Sequence, residues 1–167
     1  MKKTAICLVL LFARVSFGAE GIPTNLQAAL LTKVLSYTQQ LGGQAKSAVI
    51  IGVLNSGEMS ALLKKAAEKS KDDIQVREIK LENINGVNVL YLPAGISAES
   101  INKVKAITRA KKILSVSGDP SSVLDQDVTM SFSQKNNKPR ILINVTAGKE
   151  EGVKFSAKLL KIADLKK

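Results

Sequence analysis

Residues 47–70 read SAVIIGVLNSGEMSALLKKAAEKS, a strand, a turn and a helix in immediate succession. The first part, SAVIIGVLN, is a near-continuous run of β-branched and aliphatic residues, as expected of a strand buried on both faces. Ser56 and Gly57 interrupt it. In the segment that follows, Met59, Leu62, Leu63, Ala66 and Ala67 recur at helical spacing and form an inward face. Downstream, IQVREIKL (residues 74–81) alternates apolar and polar positions. GVNVLYLP (residues 86–93) is a second buried strand closed by Pro93. Ser97 caps a helix whose core face is Ile101, Val104 and Ile107, and KKILSVSGDP (residues 111–120) holds a short strand ending at Gly118 and Pro120. Strands alternating with helices in this way predict parallel crossover units.

The flanks complete the plan. IPTNLQAALLTKVLSYTQQLGG (residues 22–43) reads as a helix entered near Pro23, with Ala28, Leu31, Leu35 and Thr38 on one stripe and a Gly pair at its end. VTMSFSQKNNKPRILINV (residues 128–145) reads as a hairpin turning at KNNK, with Val128, Met130 and Phe132 alternating before it. RILINVTAGKEEGVKFSAKLLKIADL (residues 140–165) continues as a strand, a break at Gly148 and a terminal helix. In that helix Val153, Ala157 and Leu160 form one stripe, and Phe155, Leu159 and Ile162 the next. Glu150 stands four residues before Lys154, the favourable order for a helical ion pair. The expectation is an α/β three-layer sandwich with a mixed, mostly parallel sheet of five or six strands. The C-terminal β-hairpin supplies the antiparallel edge, and the terminal helix packs over one face.

Of 167 residues, 25 are Lys or Arg and 14 are Asp or Glu, a formal charge of +11, and there is no histidine. The chain begins MKKTAICLVLLFARVSFG. Lys2 and Lys3, an apolar run from Ala5 to Ala13, and small residues at Ser16 and Gly18 match a secretory leader, residues 1–18, cleaved near Gly18. The apolar run is shorter than the about 20 residues that span a bilayer. Residues 19–167 then form a single domain, expected in the periplasm. Cys7 leaves with the leader, so the mature domain has neither disulfides nor a catalytic thiol. Without histidine it also lacks the usual general base and the commonest metal ligand. The mature charge of about +8 points, in an exported protein, to anionic lipid, cell-wall polymer or an acidic protein surface rather than nucleic acid.

Two loops could serve a ligand. GVLNSGEM (residues 52–59) and SVSGDPSS (residues 115–122) each follow a strand. Open α/β sheets bind ligands at the carboxyl ends of their strands. If those two strands are neighbours, Asn55, Ser56, Ser117 and Asp119 converge on one rim. Neither loop has the spaced glycines of a dinucleotide site or the Gly-Lys-Ser/Thr of a P-loop, so a capped structural turn is the competing reading. Ser100 and Lys103 match a Ser-x-x-Lys pattern, but no Lys-Thr/Ser-Gly partner follows it. Asp72, Asp73, Asp125 and Asp127 lack metal-ligand spacing and read as caps and turns. No catalytic residue, metal or cofactor is assigned, and the chain is expected not to be an enzyme.

The order LQAALLTKVLSYTQQL, VIIGVLN, VLYLPAGIS, ILSVSGDP and PRILINVTAGKEEGVKFSAKLLKIADL resembles the YfiR-like family of periplasmic proteins across nearly all of the mature chain. The likeness is sharpest at Ile143 and Asn144, Gly152, Ser156, and Leu159 with Leu160. The resemblance implies a non-enzymatic regulator that binds the periplasmic domain of an inner-membrane signalling protein of the diguanylate cyclase type and restrains it. It also implies relief by an outer-membrane partner, and a homodimer. The absence of mature cysteines departs from the best-known members, as does LSYTQQLG where an aromatic cluster is common. The alternative is a small-ligand binding protein, or an accessory to a sensor kinase or to an outer-membrane transport system.

Overall fold

Val49–Leu54 is strand β4 of a computed structural model that describes residues 20–45 and 48–166. The leader expected over residues 1–18 lies outside the described residues. Around β4 the chain runs β1 (Glu20–Gly21), α1 (Thr24–Leu35), β2 (Thr38–Leu41), β3 (Gln44–Ala45), β4, α2 (Gly57–Ala67), β5 (Ile74–Ile79) and β6 (Val89–Leu92). It continues as α3 (Ala98–Lys111), β7 (Leu114–Ser117), α4 (Ser121–Gln126), β8 (Met130–Lys135) and β9 (Lys138–Asn144). It closes with α5 (Val145–Glu150), β10 (Lys154–Phe155), α6 (Ala157–Ile162) and β11 (Asp164–Lys166).

The main sheet has the order β11-β9-β8-β7-β6-β4-β5. The five strands from β5 to β8 are parallel, while β9 runs antiparallel to β8. β6 and β7 are buried at every position, and β4 at all but one. That burial explains why β4 and β6 read as apolar runs rather than alternating ones; β7 (LSVS) alternates, its two serines buried among hydrogen bonds. β5 lies at one edge and alternates, as an edge strand with one covered face should.

Two cores flank the sheet. On one side α1, α2 and α6 contribute Leu31, Leu35, Met59, Leu63 and Leu159, which pack on Ile51, Tyr91, Val116, Phe132 and Ile143. On the other, α3 and α4 contribute Ile101, Val104 and Val123, which pack on Leu90, Leu92 and Leu142. The result is the three-layer α/β sandwich that the strand–helix alternation predicts. The hairpin turns at Asn136 and Asn137, with φ of 51° and 57°, the two left-handed residues that a type I′ turn requires.

Three parts differ from the sequence reading. The helix expected over residues 22–43 ends at Leu35, and Thr38–Leu41 becomes strand β2, pairing with β10 and β3 in a small second sheet. Thr38 is buried as its place on the stripe predicts, but in a strand, opposite Phe155 of β10 more than a hundred residues away. Among the described residues the sheet has eight strands, because β1 pairs antiparallel with β8 and β11 adds beyond β9, parallel to it, so the hairpin is internal rather than the edge.

The C-terminal helix is also divided. Gly148 is inside α5, and the break falls at Gly152, whose φ is +67°. A Cβ there would stand 2.7 Å from the Gly43 nitrogen, so only glycine allows the β2–β3 turn to approach. Gly43 donates its N–H to the Gly152 carbonyl at 2.8 Å. Ala157 and Ile162, placed on the inward stripes, are exposed, and Glu150 pairs with Arg109 at 2.6 Å instead of Lys154.

Candidate functional site

The carboxyl ends of β4 and β7 carry the residues that the sequence singles out. Asn55 follows β4 in the left-handed region, φ 46°, and is exposed. Ser56 caps α2, its Oγ accepting from the Met59 N–H at 3.4 Å. Ser117 ends β7 and is 1% exposed; its Oγ accepts from the Asp119 N–H at 3.0 Å and lies 3.1 Å from the Ser122 Oγ. Asp119 in turn accepts from the Ser121 N–H at 2.9 Å. β6 stands between β4 and β7, so the adjacency that would bring all four residues onto one rim is not met. Three of the four hold their own loops by local hydrogen bonds. Asn55 opens onto a separate cleft of about 390 Å³ at the ends of β4 and β5, with Glu78, Ile79, Lys80 and Asn83.

The Ser-x-x-Lys pair is likewise committed. The Ser97 Oγ, which caps α3, accepts from the Ser100 N–H at 3.2 Å and meets the Ser100 hydroxyl at 3.0 Å. Lys103 pairs with Glu99 at 2.7 Å on an open helical face. Both side chains are thus engaged in contacts within α3 and its cap. Among the described residues no three His, Cys, Asp or Glu side chains gather to hold a metal. No helix among them is long and apolar enough to cross a membrane.

Two clusters of buried polar side chains lie inside the fold. The Tyr91 hydroxyl donates to the Gln27 Oε1 at 2.6 Å, and the Gln27 Nε2 donates to the Ile22 carbonyl at 2.8 Å and toward that of Gly118 at 3.4 Å. Burial pushes the Tyr91 phenol well above its ordinary pKa, so it stays a neutral donor. A Cβ at Gly118 would lie 2.6 Å from that hydroxyl, which explains the glycine after β7.

At the opposite end of the sheet, Glu151 is 1% exposed. Its Oε1 accepts from the Thr108 hydroxyl at 2.7 Å, and its Oε2 from the Ser115 N–H at 2.8 Å and the Thr129 hydroxyl at 2.6 Å. Burial raises its pKa, and these donors oppose the rise. The carboxyl thereby joins α3, β7 and the start of β8 to the end of α5. Both clusters act as internal ties.

Sequence reasoning passes over both. Gln27 has a signal, since it falls one turn before Leu31 on the apolar stripe of α1. Glu151 has none, because Glu150 beside it is surface-exposed and the two are indistinguishable in EEG. At the surface, Asp127 accepts from Lys166 at 2.8 Å, and Lys105 lies 3.7 Å away. Chiefly the Lys166 hydrogen bond holds its pKa below the ordinary value. Arg140 pairs with Asp164 through Nε at 2.9 Å, and that bond lowers the Asp164 carboxyl in the same way.

A search of curated proteins finds no match. Among solved structures, a crystal structure of a conserved domain protein from Vibrio cholerae O1 biovar El Tor is similar, with a TM-score of 0.61 and 18% identity. The match covers 87% of this chain and 60% of that one, so this chain spans under two thirds of the Vibrio protein's length. At that identity the likeness speaks for the fold. The family profile described as YfiR/HmsC-like matches residues 24–164, from the first residue of α1 into β11. The chain therefore belongs to the YfiR/HmsC-like family.

Proposed function

We propose that this protein is a non-enzymatic periplasmic regulator that docks on the periplasmic domain of an inner-membrane signalling protein of the diguanylate cyclase type and restrains it. The observation that carries the reading is the family match over residues 24–164. The side chains agree with it. The hydroxyls of Ser56, Ser97 and Ser117 are engaged in caps and turns, and Glu151 and Tyr91 are sealed inside the fold. What remains at the surface is shape and positive charge, which suit docking. On this reading residues 1–18 are removed on export, residues 19–167 form the working domain, and a homodimer or an outer-membrane partner adjusts the restraint. Deletion of the gene raises cellular cyclic di-GMP, and complementation restores it. Unchanged cyclic di-GMP in the deletion strain rejects this function.

A second reading, a small-ligand module, draws on the cleft beside Asn55 at the carboxyl ends of β4 and β5. A thermal-shift screen against polar metabolites tests it. Stabilisation abolished by Asn83→Ala supports it, and a flat response rejects it.

A further inference from the structure

The positive charge is unevenly placed. From residue 129 to the end there are nine Lys or Arg against three Asp or Glu. Those three acids are already engaged: Glu150 by Arg109, Asp164 by Arg140, and Glu151 in the interior. Lys154, Lys158 and Lys161 are exposed and form no ion pair among the described residues; Lys158 lies 5.4 Å from the Tyr37 ring centre.

The same C-terminal segment exposes apolar side chains. Ile162 is 60% exposed and lies four residues after Lys158, one turn along α6, while Lys161 lies three after Lys158 on the adjoining exposed strip. Leu165 is 42% exposed and pairs in register with Ile143. Paired residues in a sheet point to the same face. Ile143 belongs to the α1–α2–α6 core, so Leu165 projects on the α6 side at the outermost strand of the sheet. Exposed lysines beside exposed aliphatic residues are the composition of a surface that rests in an anionic lipid headgroup layer.

We propose that the α6–β11 edge binds anionic phospholipid bilayers. Lys154, Lys158 and Lys161 neutralise headgroup phosphates, and Ile162 and Leu165 enter the boundary between headgroup and acyl chain. This attachment is independent of the regulatory reading. In the periplasm it would hold the protein on the same plane as a membrane-bound partner.

The test is co-sedimentation of the purified protein with phosphatidylcholine vesicles, with and without phosphatidylglycerol. Binding is expected only with phosphatidylglycerol, and it weakens as salt rises. Each lysine near such a surface contributes about 1 kcal/mol, about fivefold in affinity. Lys158→Glu with Lys161→Glu therefore weakens binding by roughly 25-fold or more. Ile162→Ser, which leaves charge unchanged, weakens it severalfold. Lys64→Glu with Lys65→Glu, an equal charge change on α2 beside the opposite sheet edge, is the control. Circular dichroism verifies that each variant is folded. No binding to anionic vesicles overturns the proposal. So does an equal loss in the Lys64/Lys65 control, which would mean that net charge alone drives attachment, and so does binding insensitive to Ile162→Ser.

Discussion

Replacing Glu151 by Gln and by Ala separates the cost of burying a carboxyl from the value of the bonds it makes. Ala removes the acceptor of the buried Ser115 N–H and of the Thr129 hydroxyl. Each buried donor left unpaired costs about 1–3 kcal/mol, so Glu151→Ala should lose roughly 2–5 kcal/mol. Gln can keep the network. Its Oε1 accepts from Ser115 and Thr129, and its Nε2 faces Thr108, whose hydroxyl can accept while donating to the Lys105 carbonyl 3.2 Å away.

The pH dependence has a definite direction. Burial raises the Glu151 pKa in the fold above its ordinary 4.5, so the folded state binds the proton more tightly than the unfolded one. The stability this contributes is complete below pH 4.5 and is lost as pH rises through the folded pKa. Every tenfold preference for the protonated form corresponds to about 1.4 kcal/mol. Urea denaturation at acidic and neutral pH measures the difference between wild type and Glu151→Gln. Going from acid to neutral, the wild type should lose stability relative to Gln. A difference that does not change with pH refutes the reasoning, as does a wild type that gains on the variant. Either result would mean that the three donors outweigh burial.

Further outcomes follow from the other ties. Gly152→Ala must adopt φ of +67° and meet the Gly43 nitrogen, so it should lower stability by about 1–3 kcal/mol and disturb the β2–β10 pairing, measurable by thermal unfolding and by amide exchange at Thr38. Tyr91→Phe leaves the Gln27 carbonyl without its donor and should cost about 1–3 kcal/mol in urea denaturation. Asp127 and Asp164 have lowered pKa values, so the stability they lend to β11 is present above 3.8 and fades as pH falls through their folded values; the protection factor of the Leu165 amide, its exchange rate relative to an unstructured peptide at the same pH, should fall in that acidic range and hold steady above it.

The parts of the fold legible in the sequence are those whose signal is local. β4 and β6 announce themselves because burial on both faces leaves only apolar side chains along them, and the hairpin because two adjacent asparagines suit its turn. β2 reads as helix because Thr38 continues the helical spacing, and its partner in the sheet, Phe155 of β10, lies far along the chain. The C-terminal helix is divided for a similar reason. Gly152 faces a glycine turn more than a hundred residues earlier, and nothing near it in the sequence records that approach. At the candidate site the turn chemistry of Ser56, Ser117 and Asp119 was visible, but the order of the strands was not. An intervening β6 separates residues that their motifs suggest should meet.

Whether the protein works by docking on a cyclase is decided by adding it, purified, to a detergent-solubilised diguanylate cyclase from the same organism with its periplasmic domain intact, and following cyclic di-GMP synthesis. Inhibition that saturates at one protein per periplasmic domain is the expected result. A rate that stays constant at every concentration, with no complex between the two, would contradict the account.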